Sequence, residues 1–137
     1  MTKIIIDTGP IVAFLNGRDR HHGWVRGVLA ELRPPLYTCE SVISEACFLV
    51  RNLPGGPGAV LELLARHVVA IDFDVPAEVD AVRKLMVEYA NVPMSLADAC
   101  LVRMTELERD SSVLTMDSDF RLYRRNRRQV VPVTMPD

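Results

Sequence analysis

Apolar and polar positions alternate along the chain in a repeating order of short β-branched runs and longer amphipathic stretches. Lys3–Ile6 reads as a buried strand, because Ile4-Ile5-Ile6 offers no polar face. Gly9-Pro10 then opens a short helix to about Leu15, with proline at a tolerated first-turn position. A helix is expected over about His22–Leu32, ended by Pro34-Pro35, and a second strand over Leu36–Thr38. Helices are expected over Ser41–Leu53 and Ala59–Arg66, separated by the loop Pro54-Gly55-Gly56-Pro57-Gly58. Val68–Phe73 reads as the third strand. Pro76–Tyr89 is amphipathic, with Val79, Val82, Leu85, Met86 and Tyr89 on one face. A helix over Ser95 to about Arg109, a strand over Val113–Thr115, a helical turn at Phe120–Tyr123 and a last strand over Val130–Val133 complete the pattern.

Strands alternating with helices or helix pairs imply right-handed crossovers and a mostly parallel sheet covered on both faces. In such α/β sheets ligands bind outside the carboxyl ends of the strands. The 137 residues suit a single domain, 1–137. No apolar stretch approaches the ~20 residues that span a bilayer. Met1 leads straight into a strand-like run, so no signal peptide is expected. Cys39, Cys47 and Cys100 are odd in number and at no metal-finger spacing, which points to a reducing, cytoplasmic setting. Sixteen basic against eighteen acidic residues give a net charge of −2, by itself a mild argument against a nucleic-acid partner.

The placement of the acids changes that picture. Asp7 stands at the carboxyl end of the first strand, where a helix cap is the plain alternative. Glu45 sits in Val42-Ile43-Ser44-Glu45-Ala46-Cys47-Phe48-Leu49-Val50, an almost wholly apolar helix where an unpaired carboxylate is costly. The alternative is that Glu45 lies on a wet edge. Asp98 follows Ser95 at capping-box spacing, in Ser95-Leu96-Ala97-Asp98-Ala99. Asp117 and Asp119 follow the fourth strand, and either Asp117 or its neighbours can cap the next turn. If strands 1 and 4 are adjacent, these acids meet in one crevice. Converging carboxylates repel, and are stable only with protons or cations among them. An oxygen-only donor set selects Mg²⁺ or Mn²⁺ over zinc. Such ions polarise phosphate oxygens and activate water for in-line displacement. There is no Gly-rich phosphate loop, and His21, His22 and His67 lie away from the inferred crevice.

Four blocks in order, Ile5-Ile6-Asp7-Thr8-Gly9-Pro10, Ser44-Glu45-Ala46, Ser95-Leu96-Ala97-Asp98-Ala99 and Thr115-Met116-Asp117-Ser118-Asp119-Phe120, resemble the PIN-domain ribonucleases, and among them the VapC-like toxins of toxin–antitoxin pairs. The likeness covers nearly the whole chain. It implies a five-stranded parallel sheet in the order 3-2-1-4-5 and a Mg²⁺- or Mn²⁺-dependent endoribonuclease leaving 5′-phosphate and 3′-hydroxyl ends. It places Asp7, Glu45, Asp98 and Asp117 in the acidic motif. Asp119 is a further ligand or a supporting acid, and Thr8 and Thr115 are hydroxyls that orient carboxylates or water. It further implies a homodimer and a small antitoxin that covers the acids.

Fourteen of the sixteen basic residues are arginine. Arg121, Arg124, Arg125, Arg127 and Arg128 follow the last acidic block, as a phosphate-tracking patch or as a solvated helix end. With five acids assigned to the crevice, thirteen acids remain against sixteen basic residues, so the charge balance no longer argues against RNA. Phe14 and Trp24 are expected at a dimer or antitoxin groove. A PIN-like module that holds RNA or a partner without cutting is the alternative. A phosphotransfer receiver is disfavoured, because no lysine lies between Arg121 and Asp137.

Overall fold

The computed structural model describes all residues, 1–137. Its main sheet has five parallel strands. These are β1 (Lys3–Ile6), β2 (Leu36–Thr38), β3 (Val69–Ile71), β4 (Ser111–Leu114) and β7 (Val133–Thr134), with β5 (Arg124–Arg125) and β6 (Gln129–Val130) forming a separate antiparallel pair. The spatial order is β3-β2-β1-β4-β7. β1 is central, with Ile5 beside Tyr37 of β2 and Val113 of β4. The expected α/β fold and strand order therefore hold, with the short hairpin inserted before the last strand.

Both sheet faces are covered. Adjacent side chains on a strand point to opposite faces, yet Ile5 and Ile6 are both buried, as are Val113 and Leu114. The helices are α1 (Thr8–Leu15), α2 (His22–Ala30), α3 (Glu40–Leu49), α4 (Gly56–Ala65), α5 (Val79–Glu88) and α6 (Leu96–Leu107). Two 3-10 turns lie at Pro76–Glu78 and Ser118–Arg121. Helix α6 carries seven buried residues and packs against β1 and β4, which brings its amino end to the carboxyl ends of those strands.

Two sequence expectations are corrected. The run Val130–Val133 is not one strand: Gln129–Val130 pairs with Arg124–Arg125, and only Val133–Thr134 joins the sheet. Pro132 lies between them, lacking an amide proton for a ladder, while its carbonyl accepts from Val113 N–H at 2.9 Å. Helix α3 is not interior all round either. Val42, Ile43 and Ala46 are buried, but Phe48 and Leu49 are exposed, and Glu45 shares that open side.

Candidate functional site

Asp7 leaves the central strand where its amide donates to the Leu114 carbonyl of β4 at 2.9 Å. It caps α1, as the plain reading of the sequence has it, with Oδ1 accepting the Thr8 N–H at 2.8 Å. Its second oxygen, Oδ2, accepts from Thr115 Oγ1 at 2.7 Å. Thr115 is wholly buried and also accepts the Asp117 amide at 3.0 Å, so one hydroxyl couples the ends of β1 and β4. Asp117 in turn caps the 3-10 turn through the Asp119 amide at 2.9 Å.

Asp98 arrives from the first turn of α6. Ser95 Oγ caps that helix by accepting the Asp98 amide at 3.0 Å, as the capping pattern predicts. The Asp98 carboxylate faces elsewhere, with Oδ2 accepting from Tyr123 Oη at 2.6 Å. Glu45, from α3, accepts from Thr8 Oγ1 at 3.3 Å. The structure thus brings Asp7, Thr8, Glu45, Asp98, Asp117 and Asp119 to the wall of one open crevice of about 470 Å³. Gly9, Leu49, Pro93, Ser95 and Met116 complete it. A larger hollow of about 720 Å³ around Met1, Lys3, Tyr37 and Asp72 shares no residue with this crevice and contains an ion-paired lysine.

The electrostatics of the crevice are unbalanced. No lysine or arginine lines it. Burial pushes the Asp7 carboxyl up to about 6, against the pull of the Thr115 and Thr8 hydrogen bonds, and the Asp98 and Asp117 charges push in the same upward direction. Asp98 is also raised, first by burial and then by Asp117 and Asp119, while the Tyr123 hydroxyl opposes the shift. Burial and the neighbouring acids hold the Tyr123 phenol protonated, so it acts as a donor.

The acids share a crevice without collapsing to a point. No group of three or more His, Cys, Asp or Glu side chains forms a ready cage for an ion, so the acids stand around the crevice rather than at one point. Asp7, Glu45, Asp98 and Asp117 are instead each held by a backbone or hydroxyl partner. The all-oxygen donor set, its hydroxyl supports and the lack of any cationic side chain fit a hard dication rather than zinc.

The five arginines do not make one patch. Arg124 wraps its guanidinium onto the carbonyls of Arg121, Leu122 and Tyr123. Arg125 Nη1 donates to the carbonyls of Thr105 and Arg109, at the carboxyl end of α6, and its Nε is buried without a partner. Arg127 and Arg128 sit in the turn of the β5–β6 hairpin, whose Asn126 amide is held by Glu106 at 2.7 Å. At 1.5 Å per residue, Glu106 is about 12 Å along α6 from Asp98. Arg121 is exposed on the short turn that carries Asp119. His22 is likewise structural, its Nδ1 lying 2.7 Å from the Ala13 carbonyl. Phe14 and Trp24 are partly buried, Trp24 packing on the main core.

Comparison with known proteins agrees with this geometry. The profile of the PIN domain family matches residues 4–126. This chain belongs to the PIN domain family. Among solved structures, this PIN domain resembles the Mycobacterium tuberculosis toxin VapC20, whose structure is described as that of a sarcin-ricin loop cleaving toxin. The TM-score is 0.77 at 21% identity, over 95% of this chain and 100% of that one, a likeness of fold. No curated protein sequence matches the chain. One contributor to this PIN domain's crevice was not read from the sequence. Tyr123 looks like one more apolar residue beside Phe120, and its only signal is that a buried tyrosine needs a partner for its hydroxyl.

Proposed function

We propose that this PIN domain is a Mg²⁺- or Mn²⁺-dependent endoribonuclease and the toxin of a toxin–antitoxin pair. The observation that carries the reading is the uncompensated acidic crevice at the carboxyl ends of β1 and β4, in a chain of this family. Asp7, Glu45, Asp98 and Asp117 would hold the cation, with Asp119 beside them. When bound, the cation supplies charge neutralisation at the scissile phosphate and activation of water. The chain's own part is preorganisation: Thr115 holds Asp7, Thr8 holds Glu45, and Tyr123 holds Asp98. Burial disfavours the charged forms of Asp7 and Asp98, a cost that a bound cation would offset.

The fold likeness to VapC20, a sarcin-ricin loop cleaving toxin, supports RNA as the substrate class. Arg121, on the turn that carries Asp119, would meet the RNA backbone beside the acids, and the hairpin arginines Arg127 and Arg128 would meet it farther along. A homodimer, a small antitoxin partner and a cytoplasmic location belong to the same reading. No helix is long and apolar enough to cross a membrane.

The deciding experiment is cleavage of a mixed RNA substrate by purified protein in Mn²⁺, in EDTA, and with Asp98→Asn. Cleavage in Mn²⁺ alone, lost in the variant, supports the enzyme. RNA binding without turnover in any of the three would favour a non-cutting module. Toxicity on expression in a host, relieved by Asp7→Asn, tests the toxin assignment.

A further inference from the structure

We propose that Tyr123 is a positioning residue for this site, setting the orientation in which Asp98 meets a divalent cation. The inference rests on the metal-dependent reading above and deepens it.

Tyr123 is fully buried, and its hydroxyl donates to Asp98 Oδ2 at 2.6 Å. The ring cannot swing away. Tyr89 and Phe120 meet it edge-on, with ring centres at 5.2 and 5.3 Å and interplanar angles of 69° and 83°. Its backbone is pinned on both sides, the Tyr123 amide donating to the Asp119 carbonyl and the Arg124 amide to Tyr89 Oη at 2.9 Å. A buried tyrosine whose hydroxyl has one partner is a fixed pointer, and the partner here is an acid on another element.

The choice of donor matters chemically. Lysine or arginine in this place would orient Asp98 equally well but would cancel the charge that a cation needs. A phenol orients one oxygen by a short hydrogen bond and leaves the net charge in place. Thr115 applies the same device to Asp7. The two hydroxyls flank the turn bearing Asp117 and Asp119, so the single segment from Thr115 to Tyr123 aligns acids that arrive from β1 and from α6.

Tyr123→Phe keeps the ring and deletes only the pointer. Full-length wild type and Y123F are titrated with Mn²⁺ by calorimetry, and RNA cleavage is measured on the same samples. The expected result is Mn²⁺ binding weakened by about 10-fold or more, with kcat reduced while KM for RNA is little changed. Val69→Ala, a core change in β3 away from the crevice, serves as a stability control and is expected to bind Mn²⁺ as wild type does. Y123F matching wild type in both Mn²⁺ affinity and kcat overturns the assignment alone. Equal losses in Y123F and V69A also overturn it, because general loosening then explains the effect. A wild-type protein that neither binds Mn²⁺ nor cleaves RNA overturns the metal-dependent reading, and this inference with it.

Discussion

The Thr115 hydroxyl donates to Asp7 Oδ2 at 2.7 Å across 108 residues of sequence. The contact exists because β1 and β4 are neighbours that end in register, Ile6 beside Leu114, so the next residue of each strand emerges at the same edge. Thr115→Val keeps the shape and removes a hydroxyl that serves both Asp7 and Asp117. The expected outcome is Mn²⁺ affinity lowered by roughly 10–100-fold. Stability should fall by about 1–3 kcal/mol, because the Asp117 amide loses its acceptor. Calorimetric titration and chemical denaturation measure the two effects on one sample.

Asp7→Asn separates activity from stability. Asp7 is only 8% exposed, and its carboxyl is raised from 3.8 to about 6. Between those values the folded protein keeps a proton that the unfolded chain releases. The metal-free protein therefore loses stability as pH rises from about 4 to about 6, and carries the full burial penalty at pH 7. Asp98, also raised, acts in the same direction. The variant is expected to lose RNA cleavage and to gain stability on the order of 2 kcal/mol at pH 7 in EDTA. Its melting temperature should also fall less steeply with pH. Melts from pH 4.5 to 7.5 check this, and a variant less stable than wild type at pH 7 would show that the burial penalty is misplaced.

Cation binding should reverse that penalty. Mn²⁺ at about 100 times its dissociation constant is expected to stabilise wild type by about 2.7 kcal/mol. The same addition should leave Asp98→Asn nearly unchanged. Thermal melts with and without EDTA measure both, and an equal response from the two proteins would remove Asp98 from the cation's donors.

The arginines divide by what their guanidiniums already hold. Arg121→Ala is expected to raise KM for RNA several-fold, with a smaller dependence on salt, and to leave the melting temperature alone. Arg125→Ala should instead destabilise the fold by about 1–3 kcal/mol, since the Thr105 and Arg109 carbonyls lose their donor. Salt-dependent binding curves and denaturation of both variants distinguish the roles.

Much of this site is legible in residue order. Isoleucines before Asp7, a serine cap before Asp98 and a turn after β4 each locate one acid, because strand ends and helix starts follow from local hydrophobic pattern and capping. Glu45 reaches the crevice from the wet edge of a half-exposed α3, the alternative its sequence leaves open, because only packing against α1, α4 and α6 decides which side is wet. The arginine run is only partly legible, because composition carries charge but not the geometry of hydrogen bonds, and the Arg124 and Arg125 guanidiniums donate to carbonyls.

By itself the sequence determined the alternation of strands and helices, the α/β class and the identity of the acids, since these depend on periodicity and on chemistry within a few residues. Tertiary structure alone decided that Thr115 holds Asp7 and that Tyr123 holds Asp98. It also split the last hydrophobic run at Pro132 and carried the hairpin arginines to the far end of α6. Each of these is a contact between elements distant in the chain, set by strand order, by the direction of α6 and by which buried polar atoms still need a partner.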